Sequence, residues 1–287
     1  MSRHLPAPRT APTATTATVT PAGATALTPT APLATPAPPT SASQTPAADT
    51  TPSRQPPRAV VAEGLSLHGK RGLVYGPVDL TQEVGTMLII QGIQGSGRSS
   101  LLLTLAGRMV PDKASSLTVL GYALPHARNQ VQRHVAVAGF AGIDDLDESV
   151  RVSDVVRERM AWLTPWYRRV PRITQRGFAD LVDPLWGDRP LPRVTAKIWD
   201  LDEVDLMLLR IALAMTQKPD LLVVDDVDQV RDSVRRQVVW SCLEAVAAAG
   251  TTVIASVSSL GEAAAMSWTI RPQQFHLSTA THDLAAA

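Results

Sequence analysis

The chain has 287 residues, 45% of them hydrophobic and 18% charged, with a formal net charge of +1. That balance excludes a nucleic-acid binder working by bulk electrostatics, and the length allows one sizeable domain or two small ones. A single cysteine, Cys242, excludes an internal disulfide framework. No apolar run approaches the roughly eighteen residues that span a bilayer, and the N-terminus lacks the compact apolar stretch of a secretory signal.

Residues 1–57 are almost entirely Ala, Thr, Pro and Ser, with 13 of the 23 prolines and one acid, Asp49. Such a segment buries too little apolar surface to offset chain entropy, so a disordered tail is expected there. A folded domain is expected over 58–279. It opens with β-patterned pieces at Ala59–Ala62 and Gly72–Tyr75, a third at Pro77–Thr81, and a turn at Glu83–Gly85.

The apolar run Met87–Ile90 then leads into Gly92-Ile93-Gln94-Gly95-Ser96-Gly97-Arg98-Ser99-Ser100, followed by Leu101–Ala106. Strand, glycine-rich loop and helix in that order match the phosphate-binding loop G-x-x-x-x-G-K-[ST] at every fixed position except Arg98, where the motif has Lys. Gly92, Gly95 and Gly97 let backbone N–H groups turn inward around Ser96 to form an anion nest. A helix starting near Ser99 and Ser100 adds its positive end. Ser99 would place a hydroxyl on Mg²⁺ and Arg98 would neutralise phosphate.

Leu117–Gly121 reads as a strand ending in a turn, Val135–Ala138 as a buried strand closed by Gly139, and Asp154–Leu163 as a helix. The pattern breaks up over 164–194, which holds five prolines. Leu206–Thr216 reads as a helix, Asp220–Asp226 as an apolar strand ending in acids, and Ser233–Ala249 as a helix stopped by Gly250. Thr251–Ser256 is a strand, Gly261–Met266 a short helix, and Trp268–Leu277 a final edge strand. Strands alternating with helices predict an α/β domain with a mainly parallel sheet. In such a sheet Asp225 and Asp226 reach the edge where ligands collect. Asp225 is the candidate Mg²⁺ residue and Asp226 the candidate general base.

With these motifs in place the chain resembles the ATP-binding cassette family, the nucleotide-binding subunits of ABC transporters, over about Val60 to Leu277. The resemblance rests on Gly92–Ser100 as Walker A, on Arg210–Pro219 ahead of the second motif, and on Leu221–Asp226 as Walker B. Leu80–Gly85 leading into the loop strand, and Thr251–Ser258 leading to the family's histidine switch, extend it. It implies a P-loop NTPase core with a helical subdomain inserted at about 140–199. It also implies binding of ATP with Mg²⁺, head-to-tail pairing with a second cassette chain, and a membrane permease as partner. The chain would then be cytoplasmic, peripheral to the membrane, and an ABC-type ATPase if active.

The sequence departs from the family's pattern at several positions. Arg98 replaces Lys, with a bulkier, planar fork. Leu201-Asp202-Glu203-Val204-Asp205 falls on the signature Leu-Ser-Gly-Gly-Gln, a helix N-terminus that in the family meets the γ-phosphate of the other subunit, and three carboxylates there would repel it. Asp226 stands where the family has a Glu, and is shorter by one C–C bond, about 1.5 Å. Ser258 stands for the switch His, as residual γ-phosphate sensor, and cannot titrate near neutrality. The loop glutamine becomes Phe140. His68 stands near the distance of the adenine-stacking aromatic, though a His there is more often a plain surface residue, and Tyr75 falls one strand too late. Trp162, Trp166 and Trp186 are expected as local core of the helical subdomain.

The leading expectation is an ATP-binding subunit of an ABC-type transport system with weak or partner-dependent hydrolysis. The alternative is a non-catalytic nucleotide-binding regulatory protein. A small-molecule kinase, with Arg168, Arg169 and Arg172 as lid arginines, fits the motifs less well.

Overall fold

A computed structural model describes residues 57–278 apart from Ala114. The predicted tail, save Pro57, lies outside the described residues. The elements are β1 (Arg58–Gly69), β2 (Gly72–Glu83), β3 (Met87–Gln91), α1 (Arg98–Leu105), β4 (Ser116–Val119), β5 (Tyr122–Leu124), α2 (Arg128–His134), β6 (Val135–Ala138), α3 (Val152–Leu163) and α4 (Gln175–Trp186). They continue with α5 (Glu203–Met215), β7 (Leu221–Val224), α6 (Ser233–Ala248), β8 (Thr252–Val257), α7 (Leu260–Ala265) and β9 (Gln273–His276). Two sheets result. A five-stranded one in the order β6-β7-β8-β3-β9 has every pair parallel, and a four-stranded one in the order β2-β1-β4-β5 is antiparallel.

The parallel sheet is the middle layer. Leu88 and Ile90 of β3 and Leu221 and Val223 of β7 join a core with the antiparallel sheet, α1 and α2. Their alternates Met87, Ile89, Leu222 and Val224 join the core formed with α3 to α6. Strands buried on both faces read as unbroken apolar runs, which is why β3, β7 and β8 are plain in the sequence.

Three expectations need correction. The three short N-terminal pieces are two twelve-residue strands. Gly76-Pro77 reads as a break, but β1 absorbs the irregularity through register shifts between Ala62 and Leu65 and between Leu65 and Leu67. The broken stretch 164–194 contains the full helix α4, despite Gly177 and Pro184. Thr174 caps it by accepting from the Gly177 N–H at 3.1 Å. Phe178, Val182, Leu185 and Trp186 are all buried, a spacing that forms one helix face. Finally, Trp186 is core at 2% exposure, but Trp162 and Trp166 are 78% and 95% exposed.

Candidate functional site

The loop between β3 and α1 is built by two constraints. β3 is paired on both sides, to β8 and β9, so its end cannot wander. Gly97 then starts α1 with φ +87°, and a Cβ there would lie 2.5 Å from the Val74 carbonyl oxygen and 2.9 Å from Tyr75 Cβ. Only glycine satisfies both the left-handed angle and the close approach of β2. The α1 N-terminus has no side-chain cap and no acid in its first turn, so its positive end stays uncompensated.

Opposite the loop, β7 ends beside β6 and β8. The Asp225 N–H donates to the Ala138 carbonyl at 2.9 Å, and Ser256 Oγ donates to Asp225 Oδ1 at 2.5 Å. The same Ser256 oxygen accepts from the Asp226 N–H at 2.8 Å. Asp225 is buried at 5% exposure, whereas Asp226 is half-buried with φ +48°. Burial pushes the Asp226 carboxyl above the usual carboxylate range, against the pull of the Arg98 charge, with Asp228 and Asp225 adding to the rise.

The two halves face each other across a cleft of about 410 Å³ lined by Gly95, Gly97, Arg98, Ser99, Ser100, Asp225 and Asp226. Seven of the ten candidate residues therefore meet at one place. Gly92 and Ser96 lie behind the loop: a Cβ on Gly92 would come within 2.3 Å of Ser96 Oγ. Ser258 is exposed just past β8. Its N–H donates to Asp228, its carbonyl accepts weakly from Gln91, and it is not among the lining residues.

Sequence reasoning missed Val74, Gln94, Gly139, Ala141 and Gln229, which complete the lining. Gly139 was legible as the stop of β6. Its φ is +83°, and a Cβ would lie 2.3 Å from the Asp225 carbonyl oxygen, so the β6 loop can pass β7 only with glycine there. Gln229 had no sequence signal. It donates to the Gly139 carbonyl at 2.7 Å and accepts from Arg210 Nη1 at 3.0 Å. Phe140, in the position aligned with the loop glutamine, is buried in the core at 2% exposure. His68 is also held elsewhere, with Nδ1 2.8 Å from Asp112 Oδ2. Tyr75 is fully buried and donates to Thr104 Oγ1 at 2.8 Å.

Arg210 of α5 ties this region together. Its guanidinium contacts both Asp144 oxygens at 3.0 and 2.9 Å, Asp145 Oδ1 at 3.2 Å and the Phe140 carbonyl at 3.1 Å. Asp144 Oδ2 also accepts from the Gly139 N–H at 2.8 Å. Beside this hub a second cleft of about 330 Å³ is lined by Arg108, Ile143, Arg159, Trp162 and the Asp144–Asp145 pair, among others.

The start of α5 differs from the expectation of three free carboxylates. Asp202 caps the helix, accepting from the Asp205 N–H at 2.8 Å. Arg189 pairs with Asp205 at 2.8 Å and with Asp202 at 3.4 Å, and Arg235 also pairs with Asp202. Glu203 accepts from the Arg231 N–H at 3.1 Å. Burial alone would raise the Asp202 carboxyl; the Asp205 N–H and the Arg235 and Arg189 charges outweigh it and hold the group below its ordinary value. The negative charge is thus largely compensated within the chain.

The overall fold that brings the β3–α1 loop and the Asp225–Asp226 pair together is similar to that of solved structures. The dimeric bacterial ABC transporter cassette MJ0796 matches with TM-score 0.58 at 15% identity, over 76% of this chain and 94% of that one. The ADP conformation of the cassette MJ1267 matches with TM-score 0.54 at 13% identity, over 71% and 82%. The fold is that of an ATP-binding cassette. Curated relatives agree. The Nod factor export ATP-binding protein I of Burkholderia pseudomallei is 29% identical over 206 residues, 71% of this chain. The daunorubicin/doxorubicin resistance ATP-binding protein DrrA of Streptomyces peucetius is 28% identical over 213 residues, 73% of this chain. This chain spans 60% of the length of each of these relatives. No protein-family profile matches it. In fold the chain matches the ATP-binding cassettes, and in sequence it is similar to ATP-binding proteins of export and drug-resistance systems.

Proposed function

We propose that this cassette is the ATP-binding subunit of an ABC-type transport system and holds Mg-ATP between the Gly92–Ser100 loop and the Asp225–Asp226 pair. The observation that carries the reading is an orphaned group among the donors of the cleft. Arg98 lines the cleft at an uncapped helix start, with Asp225 and Asp226 in the same lining, and its Nη1 is buried without a hydrogen-bond partner. Buried polar atoms are rarely left unpaired, and anionic phosphate oxygens suit these donors. The residues present therefore fit the nucleotide.

In this reading the loop N–H groups and Arg98 hold phosphate, while Ser99 and Asp225 hold Mg²⁺. The metal would supply charge neutralisation at the phosphates. Ser256 fixes Asp225 in place. Asp226 would orient a water and take its proton, and its raised carboxyl spends more time protonated than an ordinary Asp. Together with its short side chain, this supports weak or partner-dependent hydrolysis.

A permease subunit is the proposed membrane partner, with the second cleft as its seat, because exposed Ile143 sits there among Arg108, Arg159 and Asp145. A second cassette chain could complete this chain's own site. The reverse arrangement is disfavoured, because Asp202 already occupies the α5 N-terminus and arginines brace it. Occupancy, rather than the net repulsion expected from the sequence, is the reason. The non-catalytic alternative draws support from the same closed helix end and from the displacement of Ser258 from the cleft.

Calorimetry with Mg-ATP tests the core of the proposal. Affinity in the micromolar to millimolar range is expected, weakened by Gly97→Val, which adds a left-handed strain of about 1–2 kcal/mol to the overlap with Val74, and by Asp225→Ala. No heat of binding at several millimolar ATP from folded protein would refute it. An ATPase assay with and without the membrane partner then separates the enzyme from the regulatory reading.

A further inference from the structure

The α3–α4 connection projects aromatic rings and arginines that nothing in the nucleotide site uses. Trp162 and Leu163 close α3 with 78% and 45% exposure, and Trp166 and Tyr167 follow at 95% and 69%. The Trp166 and Tyr167 rings pack edge to face, with centroids 6.0 Å apart at 87°, so they form one solvent-facing unit. Arg168, Arg169, Arg172 and Arg176 come next, all exposed. Among the described residues none of these four guanidinium groups has an ion-pair partner. No Asp or Glu occurs between Glu158 and Asp180. The hollow beneath Trp166 does include Asp154 and Glu158 of α3, but Arg157 and Arg168 line it with them.

Large exposed rings on a soluble surface lose favourable burial unless something covers them. Trp and Tyr combine an apolar body with a polar edge, and Arg carries an apolar stem under a charged head. That combination suits the boundary between headgroups and acyl chains, where rings sink and guanidinium groups pair with phosphate. The shape points the same way. A ring that is 95% exposed stands clear of the hollow at its base, whereas a protein partner needs matched packing on several sides.

We propose that the 162–176 tip is a lipid-binding element that seats on an anionic bilayer surface through Trp162, Trp166 and Tyr167, with Arg168, Arg169, Arg172 and Arg176 on the phosphates. Direct lipid contact is independent of nucleotide binding and of any permease. It would hold the cassette at the membrane plane before a partner is engaged.

The test uses the full chain with vesicles of phosphatidylcholine alone and of phosphatidylcholine with phosphatidylglycerol, read by co-sedimentation and tryptophan fluorescence. Binding to the anionic vesicles only, with a blue shift and a loss in high salt, is expected. Replacing Arg168, Arg169 and Arg172 by Gln should weaken binding on the order of a hundredfold, at about fivefold per charge. Trp166→Ala with Tyr167→Ala should also weaken it and remove most of the blue shift. All these positions are exposed, so an unchanged melting curve confirms folding. No binding to anionic vesicles, equal binding to neutral ones, or binding untouched by both variants would overturn the proposal. So would variants that keep vesicle binding but lose co-purification with a detergent-solubilised membrane protein, which would assign the tip to a protein partner.

Discussion

Arg210→Met is the substitution with the widest predicted consequence. The guanidinium is 7% exposed and makes five polar contacts, to Asp144 twice, Asp145, Phe140 and Gln229. Met keeps much of the apolar stem and removes every one of these bonds. Asp144 is only 22% exposed, so it is left as a largely desolvated, unpaired carboxylate. Breaking one half of a buried ion pair costs about 3–5 kcal/mol. Asp144 keeps one bond, from the Gly139 N–H, so the lower end applies, about 3 kcal/mol. For a domain of this size that corresponds to a fall in Tm of roughly 6–12 °C. Gly139 and Gln229 line the cleft and are held through the same hub, so Mg-ATP affinity should fall as well. Thermal melting of Arg210→Met, of Asp144→Asn and of the double variant is the assay. The double variant should lose less than the sum of the singles, by about 1 kcal/mol or more, because each single strands the other's partner. A single variant melting within about a degree of the natural chain, or strictly additive losses, would refute the network.

Asp226→Asn tests the electrostatics of the acid pair. Burial raises the folded carboxyl, so the folded state prefers the protonated form. The stability this group contributes is full below about pH 3.9 and is lost as pH rises through the folded value. Asn removes the titration and tolerates the left-handed backbone, so the variant should melt above the natural chain at neutral pH, with a gap that closes on acidification; a constant gap or a lower melting point would count against the burial. Light scattering should find the chain monomeric with saturating ATP, and a tight ATP-dependent homodimer would show that the braced α5 start does not block the reciprocal site. A chain begun at Pro57 should keep the melting temperature and ATP affinity of the whole protein, because Pro57 supplies the carbonyl bonded by the Val84 N–H at 2.9 Å; a large loss of stability would show that the preceding residues pack on the domain.

The glycine loop between β3 and α1 and the acid pair after β7 could be read from the sequence because their requirements are local. A buried parallel strand must be an apolar run, and an anion nest must have glycine where φ is positive. Those rules make β3, β7, β8, Gly97 and the edge position of Asp225 legible in residue order alone. Helix α4 was hidden because Gly177 and Pro184 are poor helix residues, and only burial of Phe178, Val182, Leu185 and Trp186 against the rest of the core outweighs them. Gln229 reached the cleft, and Phe140 left it, through side-chain direction, which periodicity does not encode. The carboxylates at the α5 start looked like free charge because Arg189 and Arg235 come from separate parts of the chain, and Trp162 and Trp166 looked like core because apolarity alone does not say which side of a helix end faces water. Motifs held within one strand–loop–helix unit were written in the sequence. Contacts between residues far apart in the chain exist only once the sheet and helices have packed.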